Sequence, residues 1–168
     1  KIYKDIDNKP KYKFNESISE NELFNAFKVY QQKIFEKNSK FLLYFMSKIP
    51  FLNLFSTIKI LLVDTNTVYK INIFNGMKKQ SSKSYDIEMN SNSLLFLLKN
   101  SFGFDTLTVN GCFDISNFNS FSKFAKFFSI GNLNNLGIFI NLKVLINFNL
   151  FILFINRLKA VRNNMLDE

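Results

Sequence analysis

The chain has 168 residues, enough for one domain with a buried core, and at 47% hydrophobic residues it is too apolar to be intrinsically disordered. It contains no histidine and one cysteine, Cys112, which excludes within this chain Ser-His-Asp and Cys-His catalysis, histidine-built zinc sites, thiolate clusters and an intrachain disulfide. The formal net charge of +9 admits an anionic partner, but Lys, Asn, Ile and Phe (22 Phe against no Trp) are residues of AT-rich codons, so genome bias is the leading account of the charge and nucleic acid is a disfavoured partner.

Residues 1–18 are polar and charged, contain Pro10, and read as an arm or linker. Because the chain starts at Lys1 rather than Met, a piece of a longer protein is expected, with the missing upstream region joining here. No secretory signal opens the sequence, and a lone cysteine agrees with a reducing, cytoplasmic setting. A single α+β domain is expected over residues 19–168. Ser19 followed by Glu22 is a capping-box signature. Leu23, Phe24, Phe27, Tyr30, Ile34 and Phe35 then recur at helical spacing. The pattern resumes through Phe41, Leu42, Phe45, Met46 and Ile49, with a break near Asn38, and Pro50 ends it.

The period changes after residue 58. Ile58, Ile60 and Leu62 alternate with Lys59, Leu61 and Val63, as in a strand. Asp64-Thr65-Asn66 is a turn cluster. Tyr69, Ile71 and Ile73 alternate with Val68, Lys70 and Asn72 in a second strand. Asn75-Gly76 is a strong hairpin signal, and polar residues 78–83 suggest a loose connection. Residues 84–90 read as a third strand with Tyr85, Ile87 and Met89 on one face, so the three strands predict an antiparallel meander. A short Leu-rich helix is expected over 91–100, opened by Ser91 or Ser93. A fourth strand is expected over 105–116, carrying Leu107, Val109 and Cys112 with a bulge at Asn110-Gly111.

An amphipathic helix follows over 117–130, with Phe118, Phe121, Phe124, Ala125 and Phe128 on one side and Lys123 and Lys126 on the other. Residues 137–155 are strongly apolar but broken by Asn141, Lys143, Asn147 and Asn149. The apolar residues favour insertion by about −0.3 to −0.6 kcal/mol each, a central Lys costs about +2.5 to +3.5, and the sum is near zero. A buried element followed by a helix over 150–163 is therefore expected, with a membrane anchor at 137–155 as the alternative. The whole predicts an antiparallel sheet of four to five strands covered mainly on one face by helices.

That order of elements resembles the sterol carrier protein type 2 family. The resemblance rests on Asp86-Ile87-Glu88-Met89 leading into Asn90-Ser91-Asn92-Ser93-Leu94-Leu95-Phe96-Leu97-Leu98, and on 107–115 leading into 118–128. A closer resemblance is to the C-terminal region of certain metallo-β-lactamase-fold hydrolases. It rests on Phe102-Gly103-Phe104-Asp105-Thr106-Leu107-Thr108-Val109-Asn110-Gly111-Cys112-Phe113 and on Phe128-Ser129-Ile130-Gly131-Asn132-Leu133-Asn134-Asn135. It implies a non-catalytic accessory domain of a larger hydrolase, with zinc held only by the missing upstream domain. The implied partners are that catalytic domain, an apolar small molecule or lipid, and a second copy of the chain, for dimerisation or substrate presentation. The family's zinc-ligand motifs are absent here, so the hydrolase activity does not carry over.

The candidate ligand-binding residues are Phe102, Phe104, Phe118, Phe121, Phe124 and Phe128, rings able to line an apolar cavity or simply to pack a core. No catalytic or metal-binding residue is expected. Asp86, Glu88, Asp105 and Asp114 are the carboxylates of the central region, and no spacing brings two together for acid–base work. Cys112 reads as a small buried hydrophobe. Lys78, Lys79 and Lys83 with Tyr69 and Tyr85 suggest a basic, aromatic hairpin patch, against a plain solvated loop. Two functional readings compete with the carrier: an interaction module with a filled core and no ligand, and a membrane-attached protein.

Overall fold

A computed structural model describes residues 17–49, 54–81 and 83–141. Helix α1 spans Glu20–Lys37 and α2 spans Lys40–Ser47. The Ser19 side chain accepts the Glu22 N–H at the start of α1, and the Ser39 side chain accepts that of Leu42 at the start of α2, each satisfying a donor that the helix leaves unpaired. The break falls at Asn38, whose Nδ2 donates back to the Ile34 carbonyl (2.7 Å) while its Oδ1 accepts the Ile140 N–H (2.7 Å).

Strands β1 (Ile58–Leu62), β2 (Thr67–Asn72), β3 (Gly76–Gln80), β4 (Ile87–Met89) and β5 (Asp114–Ile115) form one sheet in the order β3-β2-β1-β4-β5. The sheet is mixed, not antiparallel throughout: β1 runs antiparallel to β2 but parallel to β4. The expected meander stops at the second hairpin, because the chain leaves β3 at the sheet edge and re-enters beside β1. Residues 78–80, expected in a loose connection, belong to a strand. Gly76 at φ +83° closes the hairpin, and Asn72 Oδ1 accepts the N–H groups of Phe74 and Asn75 within it. An edge strand can be polar because ladder hydrogen bonds need no apolar side chain, and lysines there deter edge-to-edge pairing.

Helices α3 (Ser91–Lys99), α4 (Gly103–Val109) and α5 (Phe118–Asn135) complete the described elements. The strand expected over 105–116 is a correction: its first half is α4, and only Asp114–Ile115 pairs, with β4. Thr106, Thr108 and Val109 favour a strand locally, yet the tertiary setting places Leu107 in the core and leaves Val109 exposed. α5 runs past the expected end at residue 130.

The helices pack on one face of the sheet. That face presents Ile58, Ile60, Leu62, Tyr69, Ile71, Ile87 and Met89, all buried. Phe24 of α1 meets Tyr69 edge-on at 5.9 Å, and α5 lies against β1, β4 and β5. Asp86 fastens this assembly: Oδ2 accepts the Lys59 N–H (2.8 Å) and pairs with Lys123 of α5 (2.8 Å), while its carbonyl accepts the Ser116 N–H. Asp64 accepts the N–H and hydroxyl of Ser91 at the start of α3, and Ser91 Oγ accepts the Ile18 N–H (2.8 Å). Ile18 packs against the core, so the packed chain begins inside the expected arm, whose residues 1–16 lie outside the described residues, as do Pro50, residues 142–155 of the apolar segment and the helix expected over 150–163.

Candidate functional site

The Phe-rich face of α5 is the centre of the core. Phe124, Phe127 and Phe128 are each no more than 2% exposed. Ring centroids stand 5.3 Å apart for Phe104–Phe124, 5.1 Å for Phe113–Phe124, 5.2 Å for Phe124–Phe128 and 5.0 Å for Phe127–Phe128. Phe121 stacks on Phe113 at 6.2 Å and on Phe104 at 6.5 Å. These are the edge and offset contacts that aromatic quadrupoles favour, so the rings fill one another's space.

Of the six residues read as candidate ligand contacts, four join this cluster: Phe104, Phe121, Phe124 and Phe128. Phe102 and Phe118 are 54% and 53% exposed at the starts of α4 and α5. Phe113 and Phe127 complete the cluster, and Phe113 is placed only by the α4–β5 turn. The Phe102–Asp105 segment is the start of a helix in close contact with α3. A Cβ on Gly103 would stand 2.8 Å from both Cα and the carbonyl oxygen of Leu97, so only glycine permits that approach.

Beside the rings lies a cleft of about 70 Å³ between α1, α3 and α5, lined in part by Tyr30, Lys37, Phe104, Phe128 and Asn134. The Tyr30 hydroxyl and Asn134 Oδ1 are buried without a hydrogen-bond partner. Burial holds the Tyr30 hydroxyl well above the ordinary tyrosine range. A second feature, of about 410 Å³, is an open groove over Ala26, Val29 and Leu98, rimmed by Glu22, Lys33 and Lys99. Val29 is 47% exposed, so this groove is surface. Ligand sites instead bury about 70–90% of the molecule they hold.

Three of the four central carboxylates are occupied structurally. Asp86 is held by Lys59 and Lys123, Asp105 accepts from Asn132 Nδ2 (2.9 Å), and Glu88 accepts from the Tyr85 hydroxyl (2.9 Å). The bond to Glu88, together with its charge, raises the Tyr85 pKa. Among the described residues, no three of His, Cys, Asp and Glu cluster as a metal would require. Cys112 is exposed, not buried as expected, because it sits in the turn after α4.

The basic hairpin patch does not assemble as a stacking site. Tyr69 is buried on the helix-covered face, and burial followed by the charge and hydrogen bond of Glu20 raises its pKa. Tyr85 is engaged by Glu88. A different arrangement emerges from the sheet register, which sequence reading missed. Lys59 is paired with Lys70, and Lys70 with Lys78, giving a row of three lysines across β1, β2 and β3. Among the described residues, no helix is long and apolar enough to cross a membrane. No known protein family, curated protein or solved structure matches the chain.

Proposed function

We propose that this domain is a non-catalytic interaction module with a filled core, working through its surface rather than carrying an apolar ligand. One observation supports this above the others. Phe104, Phe113, Phe121, Phe124, Phe127 and Phe128 lie in mutual ring contact. The space beside them is about 70 Å³, against roughly 300 Å³ at the small end of ligand pockets. The carrier role and the parent hydrolase rest on the resemblance alone. The engagement of Asp86, Glu88 and Asp105 in structural bonds agrees with a module that performs no chemistry.

The test is titration of the chain with a monomeric fluorescent fatty acid. The module reading predicts no saturable increase in emission at any concentration below micelle formation. Saturable one-to-one binding, weakened by Phe104→Ala, would restore the carrier.

A further inference from the structure

Helix α2 is apolar on all sides. Leu42, Leu43 and Met46 are buried, while Phe41, Tyr44 and Phe45 on the opposite side are 75%, 51% and 60% exposed. A helix that is hydrophobic all round normally buries its whole surface, yet Phe41 and Phe45 stand exposed and Tyr44 is only partly covered. The exposed rings follow the i, i+3, i+4 spacing that puts them on one face.

The setting of those rings is basic. Lys48 Nζ lies 5.0 Å from the Tyr44 ring centre, and Lys40 Nζ lies 5.0 Å from that of Phe35. Between Glu36 and Asp64 the sequence has four lysines, Lys37, Lys40, Lys48 and Lys59, and no carboxylate. Tyr44 also meets Phe74, in the β2–β3 turn, edge-on at 5.5 Å. Aromatic rings settle at the headgroup level of a bilayer, and lysines beside them draw the surface toward anionic lipid.

We propose that Phe41, Tyr44 and Phe45 of α2, with Lys40 and Lys48, form a face that docks on an anionic lipid bilayer. The proposal deepens the module reading by naming its partner. The two fail separately, because the fatty-acid titration reports a closed core and vesicle binding reports the face.

The experiment is sedimentation of the full chain with vesicles of phosphatidylserine mixed into phosphatidylcholine, and with phosphatidylcholine alone. The expected result is binding to the mixed vesicles that weakens as salt is raised, with little binding to phosphatidylcholine. Phe41→Ser and Phe45→Ser should each weaken binding about tenfold. Lys40→Gln and Lys48→Gln should each weaken it roughly fivefold. With no native tryptophan in the chain, Phe41→Trp should shift its emission to the blue on vesicles. No binding to the mixed vesicles overturns the proposal. So does binding that the serine variants leave unchanged, which would place the contact in residues 137–155. Self-association that depends on Phe41 without vesicle binding overturns it in favour of a second copy. If a serine variant fails to fold, the glutamine variants and the tryptophan emission decide.

Discussion

Tyr30 places a buried hydroxyl against α5 at Gly131, where a Cβ would stand 2.8 Å from the oxygen. The hydroxyl has no hydrogen-bond partner, a state that costs about 1–3 kcal/mol. Tyr30→Phe should therefore stabilise the domain by about 1 kcal/mol in urea unfolding. Gly131→Ala should gain about 1 kcal/mol of helix propensity only in the Tyr30→Phe background; in the native background the clash offsets the gain. The pH dependence follows from the same burial. The folded Tyr30 pKa is raised, while tyrosine in the unfolded chain ionises near about 10. The contribution is thus complete below about pH 10 and is lost as pH rises from there through the folded value. Tyr69 and Tyr85 are shifted in the same direction. Unfolding free energy should fall above about pH 10, and less steeply in Tyr30→Phe; an unchanged slope would contradict this assignment. The caps at Ser19 and Ser39 act within one helical turn. Of these, the Ser19–Glu22 signature and the break near Asn38 were legible in the sequence. Nothing local marked Tyr30 against Gly131 or Asp86 against Lys123, because those contacts exist only after distant elements meet.

Helix α4 shows where element-level reading fails. Residues 105–109 are rich in β-branched side chains, and a strand is the natural local expectation. The helix forms because Gly103 lets its first turn sit on the backbone of α3, with Leu107 buried behind it. Gly103→Ala should therefore destabilise by about 1–3 kcal/mol, since the atoms it meets are backbone and cannot rotate away. Equilibrium urea unfolding measures it; a change under about 0.5 kcal/mol, the ordinary level for surface substitutions, would mean that the two helices do not approach as described. β1 and β2 were legible because alternation is a local signal: it selects the buried residues of β1 and, in β2, Tyr69 and Ile71, although Val68 on the other side is buried as well. β3 was not, because an edge strand held by its backbone leaves no apolar period to read. The parallel pairing of β1 with β4 is set by where the chain returns, which no spacing within either strand records.

At the scale of the molecule, an α+β domain with helices on one face of its sheet follows from the composition and from the switch between the two periods. The candidate Phe residues divide by position: those on the inner side of α5 and Phe104 meet in the core, while Phe102 and Phe118 at helix starts face solvent. A stripe of rings has the same sequence whether it lines a cavity or closes it. Only the meeting of α4, the segment before β5 and α5 decides between the two, and here the rings lie in mutual contact. The lysine row likewise needs the register of three strands. The closed interior carries the proposed function.

The closed interior is tested most directly by the unfolding free energy of Phe124→Ala relative to the native chain. A ring that is 0% exposed and in contact with Phe104, Phe113 and Phe128 should cost about 3–5 kcal/mol when removed. A loss below about 1 kcal/mol, accompanied by new or altered binding of an apolar probe, would show that Phe124 borders an open pocket and would contradict the account.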